Sequence, residues 1–173
     1  IVSDYNIPTQ DNIWEAITGS LKLSYMPGDD VSYYAGYDRG FKAGGFNTVQ
    51  PVNVIGGSDA TAFELRPAFD SQTADNFEVG VKSELLERRL RLNASLFYQV
   101  YSDYQVNAFD AVDPTKTFIQ NAGELETTGL EADFMWLASE SLVVDGSAAI
   151  IDAQWGDFKG ASCNAQQLQV VGA

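Results

Sequence analysis

Four carboxylates invite a test for acid–base chemistry: Glu78, Glu84, Glu131 and Asp133. Two carboxyls flanking a glycosidic bond can act as general acid and base. They belong to two separate alternating segments, Glu78 with Glu84 and Glu131 with Asp133, and no spacing pairs them in one pocket. The simpler expectation is a solvated face on which they form salt bridges with Lys22, Lys82 and Arg91. The segment Arg39–Asn47 joins cations to glycines, as a phosphate-cradling loop does, but it lacks the GxxxxGK[ST] spacing and no helical pattern follows it. Its glycines are expected to let a strand end bend and pack. Metal ligation has little to build on: the chain has no His and one cysteine, Cys163. Asp29 and Asp30 fit turn chemistry. Asn93-Ala94-Ser95 matches a glycosylation pattern but lies inside an alternating run. No catalytic residue, cofactor site or metal centre is assigned.

The elements that must position these side chains come in pairs. Leu21–Tyr25 runs into Pro27-Gly28-Asp29-Asp30 and out at Val31–Tyr37. Phe77–Leu85 turns at residues 86–89 and leaves at Leu90–Val100. Leu130–Leu137 turns at residues 138–141 and leaves at Leu142–Ile150. Along each run one parity is apolar and the other polar, the signature of a half-buried strand. Val79, Val81, Leu92, Ala94, Leu96, Leu130 and Ala132 lie on the apolar parity; Glu78, Lys82, Arg91, Glu131 and Asp133 lie on the other. A helix would scatter these charges around its circumference and carry Gly19, Gly36, Gly80 and Gly146 at about 1 kcal/mol each. Short turns at one end and long, Gly-rich connections at the other, repeated three times, point to an outer-membrane type of β-barrel. The runs are long, about 13–15 residues against about 5–6 for a soluble strand.

Composition sets limits. The 173 residues are 45% hydrophobic and 12% aromatic, which reads as folded. A formal charge of −14 with only 10 Lys and Arg argues against a nucleic-acid partner, because a phosphate-binding surface needs clustered cations. The acidic excess serves solubility, or gives acidic loops or an acidic lumen that attract cations. There is no apolar run long enough for a transmembrane helix, whereas a barrel strand needs only about 9–11 residues with alternate ones apolar. No export signal is visible at Ile1, and the two ends suggest a piece of a longer chain.

The apolar parity must face lipid or a second sheet. Tyr25, Tyr33, Phe134 and Trp136 fall near the short turns; Trp14, Tyr37, Phe41, Phe77, Tyr98, Tyr101, Trp155 and Phe158 fall near the long loops. Between them the apolar parity is aliphatic or small. Two aromatic girdles around an aliphatic band mark the two membrane interfaces.

The segment Tyr37-Asp38-Arg39-Gly40-Phe41-Lys42-Ala43-Gly44-Gly45-Phe46-Asn47 resembles a recurring stretch of the TonB-dependent outer-membrane receptors. So, in the same order, do Thr73–Leu85, Arg89–Tyr98, Tyr101-Ser102-Asp103-Tyr104-Gln105-Val106, Asn121-Ala122-Gly123 and Gly129-Leu130-Glu131. Singly each is weak; as a series covering most of residues 14–157 they are specific. The resemblance implies a barrel of about 22 strands with a plugged lumen. Residues 1–173 would be a partial barrel domain, an all-β antiparallel meander of about six long strands from its later part. It also implies that the plug domain, the energy-coupling motif and the closing strand lie outside this chain. The implied setting is the bacterial outer membrane. The implied partners are outer-membrane lipid, the plug, the TonB system and a scarce nutrient complex such as a ferric siderophore. The implied activity is transport, with no bond chemistry in the wall. The polar parity would then face the lumen, and Cys163 could close a loop disulfide with a cysteine outside the chain.

Recognition is expected in the long loops, roughly 46–72, 106–120 and 158 onward. Their aromatics, Phe46, Phe63, Phe69, Phe109 and Phe118, either stack on a ligand or pack the loops. With partners elsewhere on the barrel, the loops are expected to be the least ordered parts. Two further architectures remain at this point: a soluble or surface-attached β-sandwich binding carbohydrate, and a passive porin-like barrel.

Overall fold

The computed structural model describes residues 10–47, 50–51, 63–64, 68–109 and 117–156. The regular elements are β1 (Gly19–Tyr25), β2 (Val31–Lys42), β3 (Gln50–Pro51), β4 (Phe63–Glu64), β5 (Gln72–Leu85), β6 (Leu90–Ser102), β7 (Gln105–Phe109), β8 (Thr117–Asn121), β9 (Leu125–Ser139) and β10 (Leu142–Trp155). Six of them form one antiparallel sheet in the order β1-β2-β5-β6-β9-β10, a meander in chain order. The small hairpins β3–β4 and β7–β8 sit within the β2–β5 and β6–β9 connections. No helix occurs among the described residues.

Register turns the alternation into continuous rows. Leu23, Ala35, Val79, Leu96, Leu130 and Ile150 pair in sequence across all six strands. The next row toward the short turns is Tyr25, Tyr33, Val81, Ala94, Ala132 and Ala148. The interleaved rows carry Lys22, Glu78, Lys82, Asn93, Glu131 and Asp133 on the opposite face. The expected division into an apolar and a polar face therefore holds across β2, β5, β6 and β9, whereas on β10 the polar parity also carries Val143, Ala149 and Ile151.

The apolar face is uncovered. Leu23 is 74% exposed, Leu96 54% and Leu130 42%, the central strands included. A sandwich would bury these side chains under a second sheet about 10 Å away, and the described residues supply none. Only Gln72, Ser83, Ala108, Ala122 and Gly129 are buried among them. The sheet is thus one layer whose apolar side is built for lipid.

The band has ends. From Leu85 to Phe77 on β5 the apolar rows span about 26 Å along the strand, comparable to a barrel's ~25 Å apolar belt. Tyr37, Phe77 and Tyr98 form one row at the loop side, the first two rings 5.0 Å apart. The row beyond is polar on four strands, Arg39, Asp75, Glu126 and Gln154, with Val100 between them on β6 and Arg39 paired to Asp75 at 3.4 Å. Tyr101 and Trp155 do not belong to this girdle. Register puts them on the polar face, where Tyr104 packs edge-on to both at 5.5 Å.

Two boundaries differ from the sequence reading. The first strand starts at Gly19, ahead of the run at Leu21–Tyr25; Trp14 lies outside it and packs against Gly44 and Phe46 at the rim. The third tight turn is only Glu140-Ser141, because β9 runs on to Ser139 and a register shift at Leu142/Val143 absorbs a residue.

Candidate functional site

Two places gather polar side chains. The first is a hollow of about 620 Å³ on the polar face, lined by Tyr34, Glu78, Lys82, Asn93, Glu131 and Asp133 among others. Tyr34 organises it. Its ring lies on Gly80, its directly paired neighbour, and its hydroxyl donates to Glu78 Oε1. Lys22 Nζ and Lys82 Nζ stand 5.1 and 5.5 Å from the ring centroid, within reach of cation–π attraction.

The expected salt bridges are replaced by other contacts. Asp133 accepts both its bonds, 2.9 and 3.2 Å, from Asn93 Nδ2, its paired neighbour. Glu84 pairs with Arg88 at 3.5 Å across the turn, not with Arg91. Among the described residues Lys22, Lys82, Arg91 and Glu131 form no ion pair. For the lysines the cause is register: Lys82 lies opposite Ser32 and Asn93, and Lys22 opposite Gly36, so neither has a carboxylate directly across; Arg91 does lie opposite Glu84, whose carboxylate is taken by Arg88.

The second place is the rim where the β2–β5 and β6–β9 connections meet. Gly45 and Phe69 exchange backbone hydrogen bonds of 3.0 and 2.9 Å, and a Cβ on Gly44 would lie 2.3 Å from Phe69 O. Close approach therefore explains these glycines. Asn47 and Ile119 bond reciprocally at 2.8 and 2.7 Å, as do Asn121 and Asp70 at 2.9 and 2.7 Å. Gln105 Nε2 donates to Ala43 O and Asp70 O at 2.9 and 3.0 Å. The described residues of these loops hold one another, and much of 46–72 and 106–120 lies outside the described residues. Residues 158 onward, with Cys163, lie outside the described residues.

The loop aromatics divide. Phe46 packs edge-on to Trp14 with ring centroids 5.5 Å apart. Phe69 covers Gly45, so both are packing residues. Phe109, at the end of β7, is 60% exposed. Phe118 pairs with Ala108 across the β7–β8 hairpin, and Phe63 pairs with Pro51 in β3–β4. No group of three or more metal-ligating side chains occurs among the described residues.

A single-layer arc with an apolar outer belt and a polar hollow has close counterparts. The family model "TonB dependent receptor-like, beta-barrel" matches residues 2–168. The chain belongs to the TonB-dependent receptor β-barrel family. It is 28% identical over 122 residues to the pesticin receptor of Yersinia pestis, covering 70% of this chain and 16% of that protein. It is 27% identical over 139 residues to the metal-pseudopaline receptor CntO of Pseudomonas aeruginosa, covering 80% and 17%. Among solved structures, the ferric yersiniabactin uptake receptor FyuA of Y. pestis aligns with a TM-score of 0.58 at 23% identity over 79% of this chain and 18% of that one. The siderophore receptor PirA of P. aeruginosa aligns with a TM-score of 0.60 at 20% identity over 79% and 28%. The chain thus spans about one sixth of the curated relatives it matches. As a TonB-dependent receptor barrel segment it belongs to the outer membrane, and its six-stranded sheet is an arc of that barrel. Family membership, with the uncovered single-layer sheet, removes the sandwich.

Sequence reasoning missed the rim contacts. Their signal was present in the segments ending at Asn47, containing Gln105 and beginning at Asn121, but nothing in one-dimensional spacing says that these carboxamides meet.

Proposed function

We propose that residues 1–173 form a wall section of an outer-membrane receptor that takes up a metal–chelate complex of the siderophore type, driven by the TonB system through a plug in the barrel lumen. The observation that carries this reading is the family match over residues 2–168, together with relatives whose names all specify receptors, three of them for a siderophore or metal complex. In this reading the wall makes and breaks no covalent bond. Its apolar rows meet lipid. Glu78, Lys82, Arg91, Glu131 and Asp133 face the lumen, where Lys82, Arg91 and Glu131, without ion pairs in the arc, are available to the plug or to a passing solute. That they share a face with the hollow supports this orientation. Recognition falls to the loop rim, with Phe109 the most exposed of the described loop phenylalanines.

The test is uptake by the full-length receptor in an outer-membrane host lacking its own siderophore receptors, fed a panel of radio-iron chelates with and without functional TonB. TonB-dependent accumulation of at least one chelate is expected. TonB-dependent uptake of cobalamin or a sugar, with no metal chelate taken up, would replace the substrate class.

A further inference from the structure

We propose that the carboxamides of Asn47, Gln105 and Asn121 clasp the β2–β5 and β6–β9 loops into one rigid unit, so that whatever either loop presents outside the barrel is positioned by the other. Three features argue for a built device. Asn47 and Asn121 each engage both the N–H and the C=O of a single residue on the opposite loop, Ile119 and Asp70. A side chain thus does what a neighbouring strand's peptide group would do, and the two loops gain ladder-like pairing without sharing a sheet. Asn121 Nδ2 also donates to Asp103 O at 2.8 Å. Gln105 works in both directions: its backbone N–H donates to Gln72 Oε1 at 3.0 Å, while its Nε2 bridges Ala43 O and Asp70 O.

Burial supplies the second argument. Of the five buried residues among those described, three, Gln72, Ala108 and Ala122, are here. A carboxamide bonded on several sides in such a place is expensive to release, since the backbone groups it leaves would lose their partners. The third is reach. The Tyr104 N–H donates to Gly123 O at 2.9 Å and the Ala122 N–H donates to Tyr104 O at 2.8 Å, so the base of the β7–β8 hairpin is fixed to the same node. The hairpin's exposed end, Phe109, is aimed from it.

The loop–loop clasp is independent of the ligand; only its value for recognition rests on the receptor reading. The experiment is a pulsed-EPR distance in the full-length receptor in detergent, with Cys163→Ser and spin labels at Ala68→Cys and Thr117→Cys. Hydrogen exchange is read at the Ile119 and Asp70 amides, whose acceptors are the Asn47 and Asn121 side chains. The parent should give one narrow distance peak and protected amides. Asn47→Leu with Asn121→Leu should lose both the narrow peak and the protection while the barrel keeps its heat-modifiable migration. A broad parent distribution overturns the clasp even if the variant does not fold, and so does a variant that keeps the parent's peak. A rigid pair of loops in a receptor that takes up no chelate would leave the clasp standing and remove the proposed substrate.

Discussion

A glycine lies opposite an aromatic ring three times in this sheet: Gly80 by Tyr34, Gly129 by Phe97 and Gly146 by Phe134. In each case the ring occupies the space a Cβ would need, which restores packing where glycine has none to offer. The case of Tyr34 is the most constrained, because its hydroxyl is held by Glu78 and its ring is flanked by Lys22 and Lys82. A Cβ on Gly80 would come 2.5 Å from Tyr34 Cζ, and the ring cannot swing away without losing those contacts. Gly80→Ala should destabilise the folded barrel by about 1–3 kcal/mol through overpacking. The penalty should shrink in a Tyr34→Ala background, and a double-mutant cycle in denaturant titrations reads the coupling. Additive penalties would mean that the ring and the glycine do not share the space. On the other face the deciding quantity is desolvation. Leu96 lies mid-band in the row that crosses all six strands, so Leu96→Arg should cost about 2–4 kcal/mol in lipid. Lys82→Gln, on the polar face, should leave barrel stability nearly unchanged, as refolding yields into vesicles will show.

At the scale of elements, the turns carry the strain and the stitching. Leu86, Glu87 and Arg88 all have positive φ, at 54, 57 and 66°, a run that L-residues adopt at roughly 1–2 kcal/mol each. The neighbouring residue offsets part of this: Arg89 donates from Nε and Nη2 to Leu137 O at 3.2 and 3.0 Å, and to Ala138 O at 3.0 Å, tying one hairpin turn to the next. Glu87→Gly should therefore raise stability by about 1 kcal/mol, visible as a higher denaturation midpoint. A lower midpoint would show that the turn's geometry depends on the Glu87 side chain. These same elements show what a sequence can disclose. Period-two alternation named the faces of β5, β6 and β9 correctly because a one-residue slip would invert every side chain. It did not foresee that β9 extends to Ser139, since a bulge is set by local geometry at one residue. Nor did it find the surroundings of Lys82, which depend on which residue register brings opposite, or the partner of Glu84, which is Arg88 across the turn rather than Arg91 opposite it. The β7–β8 hairpin lay hidden inside a polar connection whose pairing is short, and Asn47 and Ile119 meet from 72 residues apart with no periodicity to announce it.

For the whole molecule, the arc's asymmetry predicts orientation: short turns in the periplasm, long loops outside. In the full-length receptor with Cys163→Ser, a membrane-impermeant maleimide should label Phe109→Cys on intact cells, and Glu140→Cys only after the outer membrane is opened. Reversed labelling would invert the topology. The arc also has two free edges, β1 and β10. β10 is 14 residues long, and on its outer side it leaves on the order of ten N–H and C=O groups in hydrocarbon with no water to bond them. At several kcal/mol each, that is tens of kcal/mol, more than the ~5–15 kcal/mol by which a folded domain is stable. Residues 1–173 expressed alone should therefore not insert as a monomer. Neither sheet edge can be satisfied without further strands, because only closure removes edges. In detergent the isolated chain should aggregate or pair edge to edge, without heat-modifiable migration and without transport in vesicles. The full-length receptor, by contrast, should show both. A monodisperse, heat-modifiable monomer of the 173-residue chain would mean that β1 and β10 find each other and close a small barrel, and the open-arc description would then be wrong.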